Sequence, residues 1–202
     1  MKTPLQLCLT STLLWLNCSQ ANADLIVFPL GSRLDNTALD KVHSGTLTID
    51  GLTATLTAND GELNATASGF GVNSSETGDP TFLIDGVNGT EFITITFNKP
   101  VQFTQLTLDS FAGTETAIIT IGLNAPLTLT DVATPSDIYN FTSSDLPLGN
   151  TIAMDQSAVI AWGSGNGFSL EGFQVTTVPE PATCWIALAA AAGLMNWRRR
   201  PS

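Results

Sequence analysis

The stretch Thr46-Leu47-Thr48-Ile49-Asp50-Gly51-Leu52-Thr53-Ala54-Thr55-Leu56 decides the fold class of this chain, because apolar and hydroxyl side chains alternate along it. Asp50-Gly51 suits a two-residue type I′ turn, in which both central positions need φ > 0. With that turn Ile49 faces Leu52, every apolar side chain falls on one side of the hairpin, and every threonine falls on the other. The sequence therefore predicts an antiparallel hairpin with one buried face.

Alternation of this kind recurs along the chain. It predicts a second pair of strands, 92–97 and 101–103, joined by a turn at Asn98-Lys99-Pro100. The apolar phase then shifts by one residue, which indicates a β-bulge near Thr104-Gln105. Further strands are expected from the alternating apolar residues in four more segments, of which the last has a phase break at Gly172: 117–123, 127–129, 158–162 and 168–175.

These strands define one domain. No segment shows helical periodicity over three turns, and no linker or shift in composition divides residues 24–177. The glycine-rich segment 69–89 is expected to be a long loop. The sequence therefore predicts an all-β fold: a single antiparallel, jelly-roll-like β-sandwich over 24–177. It is flanked by an N-terminal signal peptide, 1–23, and by a segment, 178–202, that contains a short hydrophobic helix.

Residues 1–23 have the features of a secretory signal peptide. Lys2 precedes a leucine-rich run at 5–16, and Ala21-Asn22-Ala23 places small residues at the −3 and −1 positions of a cleavage site. Lipidation of Cys18 is the alternative, although Asn17 replaces the small residue that usually precedes a lipidated cysteine. The mature chain is therefore expected to begin at Asp24.

The C-terminal segment combines a short motif, an apolar run and a basic stop. Val178-Pro179-Glu180-Pro181 comes first, 183–195 is apolar, and Arg198-Arg199-Arg200 follows. A helix over the apolar run is about 20 Å long at ~1.5 Å per residue, which is short for a bilayer core of about 30 Å. A plain single-span anchor with cytoplasmic arginines is one interpretation. A GPI signal is another, but its hydrophobic tail normally ends the chain.

In this order, the motif, the helix and the arginines resemble the PEP-CTERM sorting signal of Gram-negative bacteria. The paired signal peptide and the final strand, which runs directly into the motif at Val178, strengthen the resemblance. The resemblance implies export across the inner membrane, a transient anchor through the C-terminal helix, and processing near the motif by an exosortase-type enzyme. It also implies a final place in the envelope, on the cell surface or in extracellular biofilm material. It assigns no activity to residues 24–177.

Composition excludes several kinds of function for residues 24–177. Cys8, Cys18 and Cys184 all lie outside this range, so it contains no disulfide and no thiol nucleophile. The range contains every acidic residue of the chain except Glu180, but its only basic residues are Arg33, Lys41 and Lys99. Nucleic-acid binding needs clustered cations and is therefore excluded. The acidity indicates either solubility or binding of a divalent cation.

The sequence offers no constellation that predicts catalysis. His43 is the only histidine, without the partners that a catalytic triad or a zinc site needs, and is expected to be a surface or turn residue. Trp162, the only tryptophan in 24–177, is expected either to pack in the core or to stack on a sugar. The chain is therefore predicted not to be an enzyme.

One cluster of oxygen ligands is a candidate metal site. Asp79, Asp85, Asn88 and Glu91 lie in and after the glycine-rich segment, and Ca²⁺ prefers carboxylate, amide and carbonyl oxygens on adaptable loops. The spacing is not that of an EF-hand, and Asp85-Gly86 also suits a turn. The hypothesis is a structural calcium ion that braces a sandwich without disulfides; no other cofactor is expected.

The sequence as a whole predicts an exported surface or matrix protein with a structural or adhesive β-sandwich. A carbohydrate-binding module for exopolysaccharide is the alternative. A polysaccharide-cleaving enzyme, which needs a cleft with two facing carboxylates, is a third interpretation.

Overall fold

The computed structural model describes residues 23–31, 37–74, 78–80, 82–87, 89–132 and 137–179. The predicted signal peptide, except its last residue, and the predicted C-terminal helix lie outside these residues. Residues Ala23–Val178 form one compact unit. Within the described ranges no helix is long and apolar enough to cross a membrane.

The described chain is all-β, with one short 3-10 turn at Thr37–Leu39. Its strands are β1 Leu25–Pro29, β2 Ser44–Ile49, β3 Leu52–Ala58, β4 Glu62–Ala65, β5 Phe70–Asn73, β6 Phe92–Phe97, β7 Val101–Asp109, β8 Thr116–Ile121, β9 Leu127–Thr130, β10 Asp137–Asn140, β11 Thr151–Ile152, β12 Ser157–Ser164 and β13 Ser169–Thr177.

The strands form two antiparallel sheets. One sheet has six strands in the order β2-β3-β6-β12-β8-β9. The other has seven: the order β10-β7-β13-β5-β4, with β1 also paired to β13 and β11 also paired to β7. The prediction of an antiparallel all-β fold is confirmed.

Aromatic side chains from both sheets meet in one hydrophobic core. Phe173 of β13 stacks on Phe28 of β1 with ring centroids 4.7 Å apart, and on Phe103 of β7 at 5.8 Å. Phe97 of the six-stranded sheet meets the edge of Phe173 at 6.0 Å. The buried apolar residues of both sheets belong to the same cluster, so the alternation read from the sequence buries one face of each sheet.

The hairpin at 46–56 forms as predicted. Ile49 pairs with Leu52, Thr48 with Thr53 and Leu47 with Ala54. The turn residues Asp50 and Gly51 have φ of 50° and 76°, as a type I′ turn requires. Leu52, Ala54 and Leu56 are buried, whereas the threonines lie on the outer face.

The predicted pairing of 92–97 with 101–103 is wrong. Both strands form, as β6 and β7, and Asn98-Lys99-Pro100 connects them, but they lie in different sheets. β6 pairs with β3 and β12, whereas β7 pairs with β13, β10 and β11. The turn therefore carries the chain from one sheet to the other. The sequence around the turn did not reveal this, because the strands that pair with β6 and β7 are distant in sequence.

Both phase breaks are bulges. β13 pairs with β7 through Gln174–Gln105 and then Val175–Phe103, which leaves Thr104 as the additional residue. The second shift lies between Leu170 and Gly172, with Glu171 as the additional residue. Each bulge turns the next apolar side chains back to the core.

The prediction that 69–89 is a continuous loop is wrong at its start. β5 lies inside this segment and pairs with β4 through Val72–Leu63 and Phe70–Ala65. Gly71 of β5 packs against the backbone of Phe82 and Leu83, so closely that a Cβ atom would lie 2.3 Å from the Phe82 carbonyl carbon. Through this contact, residues 82 and 83 of the same segment pack alongside β5.

Candidate metal centre and an uncharged sheet face

Three of the four predicted metal ligands come together. Asp79, Asp85 and Glu91 each place a carboxylate oxygen within 4.8 Å of the other two, and we call them the acid triad. Asn88, the fourth predicted ligand, lies outside the described residues. The structure thus brings together in space three carboxylates that the sequence showed only to be near one another along the chain.

Backbone hydrogen bonds hold two members of the acid triad, Asp85 and Glu91, beside the end of β12 and the start of β13. Ile84, next to Asp85, forms an antiparallel bridge with Phe168. The Glu91 N–H donates to the Asp85 carbonyl at 3.0 Å, and the Trp162 N–H donates to the Glu91 carbonyl at 3.0 Å. The positions of Asp85 and Glu91 are therefore set by the sheets.

The carboxylates use only some of their oxygens for hydrogen bonds. Asp85 Oδ1 accepts from the Val87 N–H at 2.8 Å, and Glu91 Oε2 accepts from the Asp85 N–H at 2.9 Å. The remaining oxygens, Asp85 Oδ2 and Glu91 Oε1, are buried without a hydrogen-bond partner, as are both carboxylate oxygens of Asp79. Asp85 is 1% exposed and Glu91 is 4% exposed. Buried polar atoms without a partner are rare in native proteins and call for an explanation such as an ion.

The electrostatics of the acid triad are unfavourable to three negative charges. Burial raises the pKa of Glu91 to about 8, and the nearby charges of Asp79, Asp85 and Asp60 add to this rise. Burial also raises the pKa of Asp85, and the charge of Asp79 contributes, although the hydrogen bond from Val87 acts in the opposite direction. A bound cation would remove this repulsion.

Two glycines let the backbone close around the acid triad. A Cβ atom on Gly86 would lie 2.5 Å from the Trp162 ring, so the ring rests directly on this residue. A Cβ atom on Gly167 would lie 2.6 Å from Asp85 Cβ, and Gly167 has a φ of +105°. Sequence reasoning considered Gly86 only as a turn residue and missed the packing contacts of both glycines, since their partners come from other parts of the chain.

The other residues singled out from the sequence have simpler surroundings. Trp162 is half-buried and packs against the core, one of the two alternatives for it, and its indole N–H donates to the Gly165 carbonyl at 3.2 Å. His43 lies exposed in a bend, with Nδ1 3.0 Å from the Gly61 carbonyl. Of the predicted sorting motif, Val178 and Pro179 are described, and Glu180, Pro181, Arg198, Arg199 and Arg200 lie outside the described residues. The Val178 N–H donates to the Pro100 carbonyl at 3.1 Å.

A second feature is the outer face of the six-stranded sheet. None of the strands β2, β3, β6, β8, β9 and β12 contains a charged residue. Paired residues on this face are mostly threonines: Thr55 lies between Thr46 and Thr96, and Thr57 lies between Ser44 and Thr94.

We call this surface the threonine face. Its outward residues are Ser44, Thr46, Thr48, Thr53, Thr55, Thr57, Phe92, Thr94, Thr96, Thr116, Ile118, Thr120, Thr128, Thr130, Ser157, Val159 and Ala161.

Hydroxyl groups on the threonine face hydrogen-bond across strands. Thr48 Oγ1 lies 2.9 Å from Thr53 Oγ1, and Ser44 Oγ lies 2.8 Å from Thr57 Oγ1. Neighbouring strands are about 4.8 Å apart and alternate residues about 6.8 Å apart along a strand. The face therefore offers a regular array of hydroxyl and methyl groups.

A scan against protein-family models and comparisons with curated proteins and with solved structures found no match for this chain.

Proposed function

We propose that this chain is an exported surface or matrix protein whose β-sandwich attaches without catalysis to neutral polysaccharide. The observation that carries the proposal is the threonine face, which is free of charge on a chain with a formal net charge of −11. Sugar hydroxyls both donate and accept hydrogen bonds, as threonine hydroxyls do. Threonine methyl groups match the apolar C–H surface of a sugar ring.

The strand order supports a jelly-roll form of the sandwich. The six-stranded sheet contains the run β6-β12-β8-β9, and the other contains the run β5-β13-β7-β10. From β5 onward, consecutive strands cross between sheets at β5–β6, β6–β7, β7–β8, β9–β10, β11–β12 and β12–β13. Two four-stranded runs with this crossing pattern are the arrangement of a jelly roll, a form that includes lectin domains.

A matched pair of variants tests the role of the threonine face. Thr55→Lys places a charge among Thr46, Thr96 and their neighbours, and Thr107→Lys makes the same change on the outer face of the seven-stranded sheet. We expect Thr55→Lys to weaken retention on insoluble neutral polysaccharides about tenfold, the effect of ~1.4 kcal/mol, and Thr107→Lys to retain wild-type binding.

Equal effects of the two variants, or no retention of the wild type, would contradict the proposal. Release of soluble sugar from the polysaccharide would indicate the cleaving enzyme instead.

We further propose that the tail is removed near the Pro-Glu-Pro motif after export. The last strand of the described residues ends at Thr177, before the motif, so cleavage beyond Pro179 removes none of the described strands. Intact mass and terminal peptide mapping of the protein from its native cell surface should show loss of 1–23 and cleavage near Pro179. An Arg198-Arg199-Arg200 tail retained in all mature protein would indicate a plain membrane anchor.

A further inference from the structure

We infer that the acid triad holds one calcium ion that ties together three points of the segment between β5 and β6. This inference is independent of the proposed attachment to polysaccharide. It rests on the distances and burial of the carboxylate oxygens, on their missing hydrogen-bond partners and on the negative charge around them.

The distances fit a single ion. Two oxygens on one calcium ion are at most about 5 Å apart, because each Ca–O distance is about 2.3–2.6 Å. The nearest carboxylate oxygens of Asp79, Asp85 and Glu91 all lie within 4.8 Å of one another. Small side-chain rotations therefore suffice for all three to reach the same ion.

The carboxylate oxygens without a hydrogen-bond partner are the ones that remain to bind the calcium ion. Asp85 and Glu91 each accept a backbone hydrogen bond with one oxygen, which orients the carboxylate. Their second oxygens are buried without a partner, and so are both oxygens of Asp79. Carboxylates that bind metals are commonly oriented by hydrogen bonds of this kind.

The charge also calls for a cation. The acid triad brings three carboxyl groups together, and Asp60 adds a fourth acidic group whose charge acts on Glu91.

The ligand type selects calcium. Zinc sites usually include nitrogen or sulfur ligands, and the acid triad supplies oxygen alone. Magnesium demands near-ideal octahedral geometry, whereas calcium accepts six to eight oxygens in irregular arrangements on loops. Backbone carbonyls and waters would complete its coordination.

Thermal unfolding of the full chain, first treated with EDTA, tests the site. Extracellular calcium modules bind with Kd values of about 10⁻⁴–10⁻³ M. A concentration about a hundredfold above Kd should raise the wild-type Tm by about 5–10 °C, and Mg²⁺ should raise it far less. No rise with Ca²⁺, or an equal rise with Mg²⁺, would overturn the inference.

Two isosteric variants make the test specific. Asp85→Asn keeps the acceptor for Val87 and relieves repulsion, so we expect it to fold and to lose the calcium-dependent rise in Tm. Asp155→Asn makes the same change in an exposed turn at the other end of β12 and should respond to Ca²⁺ as the wild type does. A full response of Asp85→Asn would overturn the inference.

Terbium luminescence locates the ion. Tb³⁺ takes the same oxygen ligands as Ca²⁺ and emits when a nearby excited indole transfers energy to it. The Trp162 ring rests on Gly86, next to Asp85, so excitation of the wild type should give terbium emission that excess Ca²⁺ removes. Trp162→Phe should lose this emission but keep the calcium-dependent rise in Tm. Emission that persists in Trp162→Phe would place the ion elsewhere and overturn the inference.

Discussion

Among single residues, Gly167 is one of the least free to change near the acid triad. Its φ of +105° is unfavourable for any residue with a side chain, and a Cβ atom would lie 2.6 Å from Asp85 Cβ and 2.9 Å from the Ile84 carbonyl oxygen. Overpacking costs about 1–3 kcal/mol, and strained backbone adds about 1–3 kcal/mol. We therefore expect Gly167→Ala to lower the free energy of unfolding by about 2–4 kcal/mol in urea denaturation.

Gly113 provides the matched control for this substitution. It has a φ of +69°, and a Cβ atom there would meet no atom within 4 Å. Gly113→Ala should therefore cost only the backbone strain, about 1–2 kcal/mol. If both variants lost the same stability, the close contact of Gly167 with Asp85 would carry no energetic weight.

Glu91 should make the metal-free protein less stable as the pH rises. Its pKa is raised from 4.5 to about 8 in the folded state, so between these values the folded chain binds more protons than the unfolded chain. The free energy of unfolding then falls with increasing pH. In EDTA we expect denaturation midpoints to fall from pH 5 to pH 8, whereas added Ca²⁺ should stabilise most at the higher pH.

Glu91→Gln separates this effect from other titrating groups. The variant cannot ionise at position 91, so its stability in EDTA should depend less on pH over the same range. An unchanged pH profile in Glu91→Gln would show that another group causes the dependence.

At the scale of elements, β13 is central to the packing. It pairs with β1, β5 and β7, and its Phe173 contacts Phe28, Phe97 and Phe103. Phe→Ala in a core typically costs 3–5 kcal/mol. We expect Phe173→Ala to lower the free energy of unfolding by about this amount in urea denaturation.

Phe82 allows the same chemical change on the surface. Its side chain is 50% exposed, and Phe82→Ala should cost less than about 1 kcal/mol, as surface substitutions do. A similar cost at both positions would mean that the aromatic cluster does not dominate the stability of the core.

The long strands could be predicted from the sequence because each alternates over enough residues to show its period. β2 and β3 appeared with the correct register, and the two bulges appeared as phase breaks. The short strands β1, β4, β5, β10 and β11 did not, since these runs of two to five residues show too few alternations of apolar and polar side chains. β9 is as short but was predicted, because Leu127 and Leu129 alternate with threonines. The crossing from β6 to β7 was missed because the local sequence of a turn is similar in two cases: when it joins two paired strands, and when it joins strands of different sheets.

The acid triad was partly predictable for a similar reason. Asp79, Asp85 and Glu91 lie close together in sequence, so their oxygen chemistry was visible. The burial of Asp85 and Glu91 could not be predicted, because it depends on Trp162 and Gly167, which are about 70–80 residues away in sequence. Local sequence identified the ligand types, and long-range pairing created the site.

At the scale of the whole molecule, the charged residues of the strands all lie in one of the two sheets. Charged residues occur in strands of the seven-stranded sheet, as at Glu62, Asp109 and Glu171, but in no strand of the other sheet. Attachment through the threonine face should therefore depend little on salt. From about 0.1 M to about 1 M salt the Debye length falls from ~10 to ~3 Å, and we expect retention on neutral polysaccharide to stay nearly constant.

A steep loss of retention with salt would show that charged groups bind the polysaccharide.

The charge-free threonine face also gives the molecule two unlike sides. A layer that attaches by this face turns its acidic side toward the surrounding water. If the threonine face attaches to polysaccharide as proposed, each further molecule would approach a negatively charged coat and be repelled. The partition of threonine and carboxylate between two sheets would then limit the coating to a single layer.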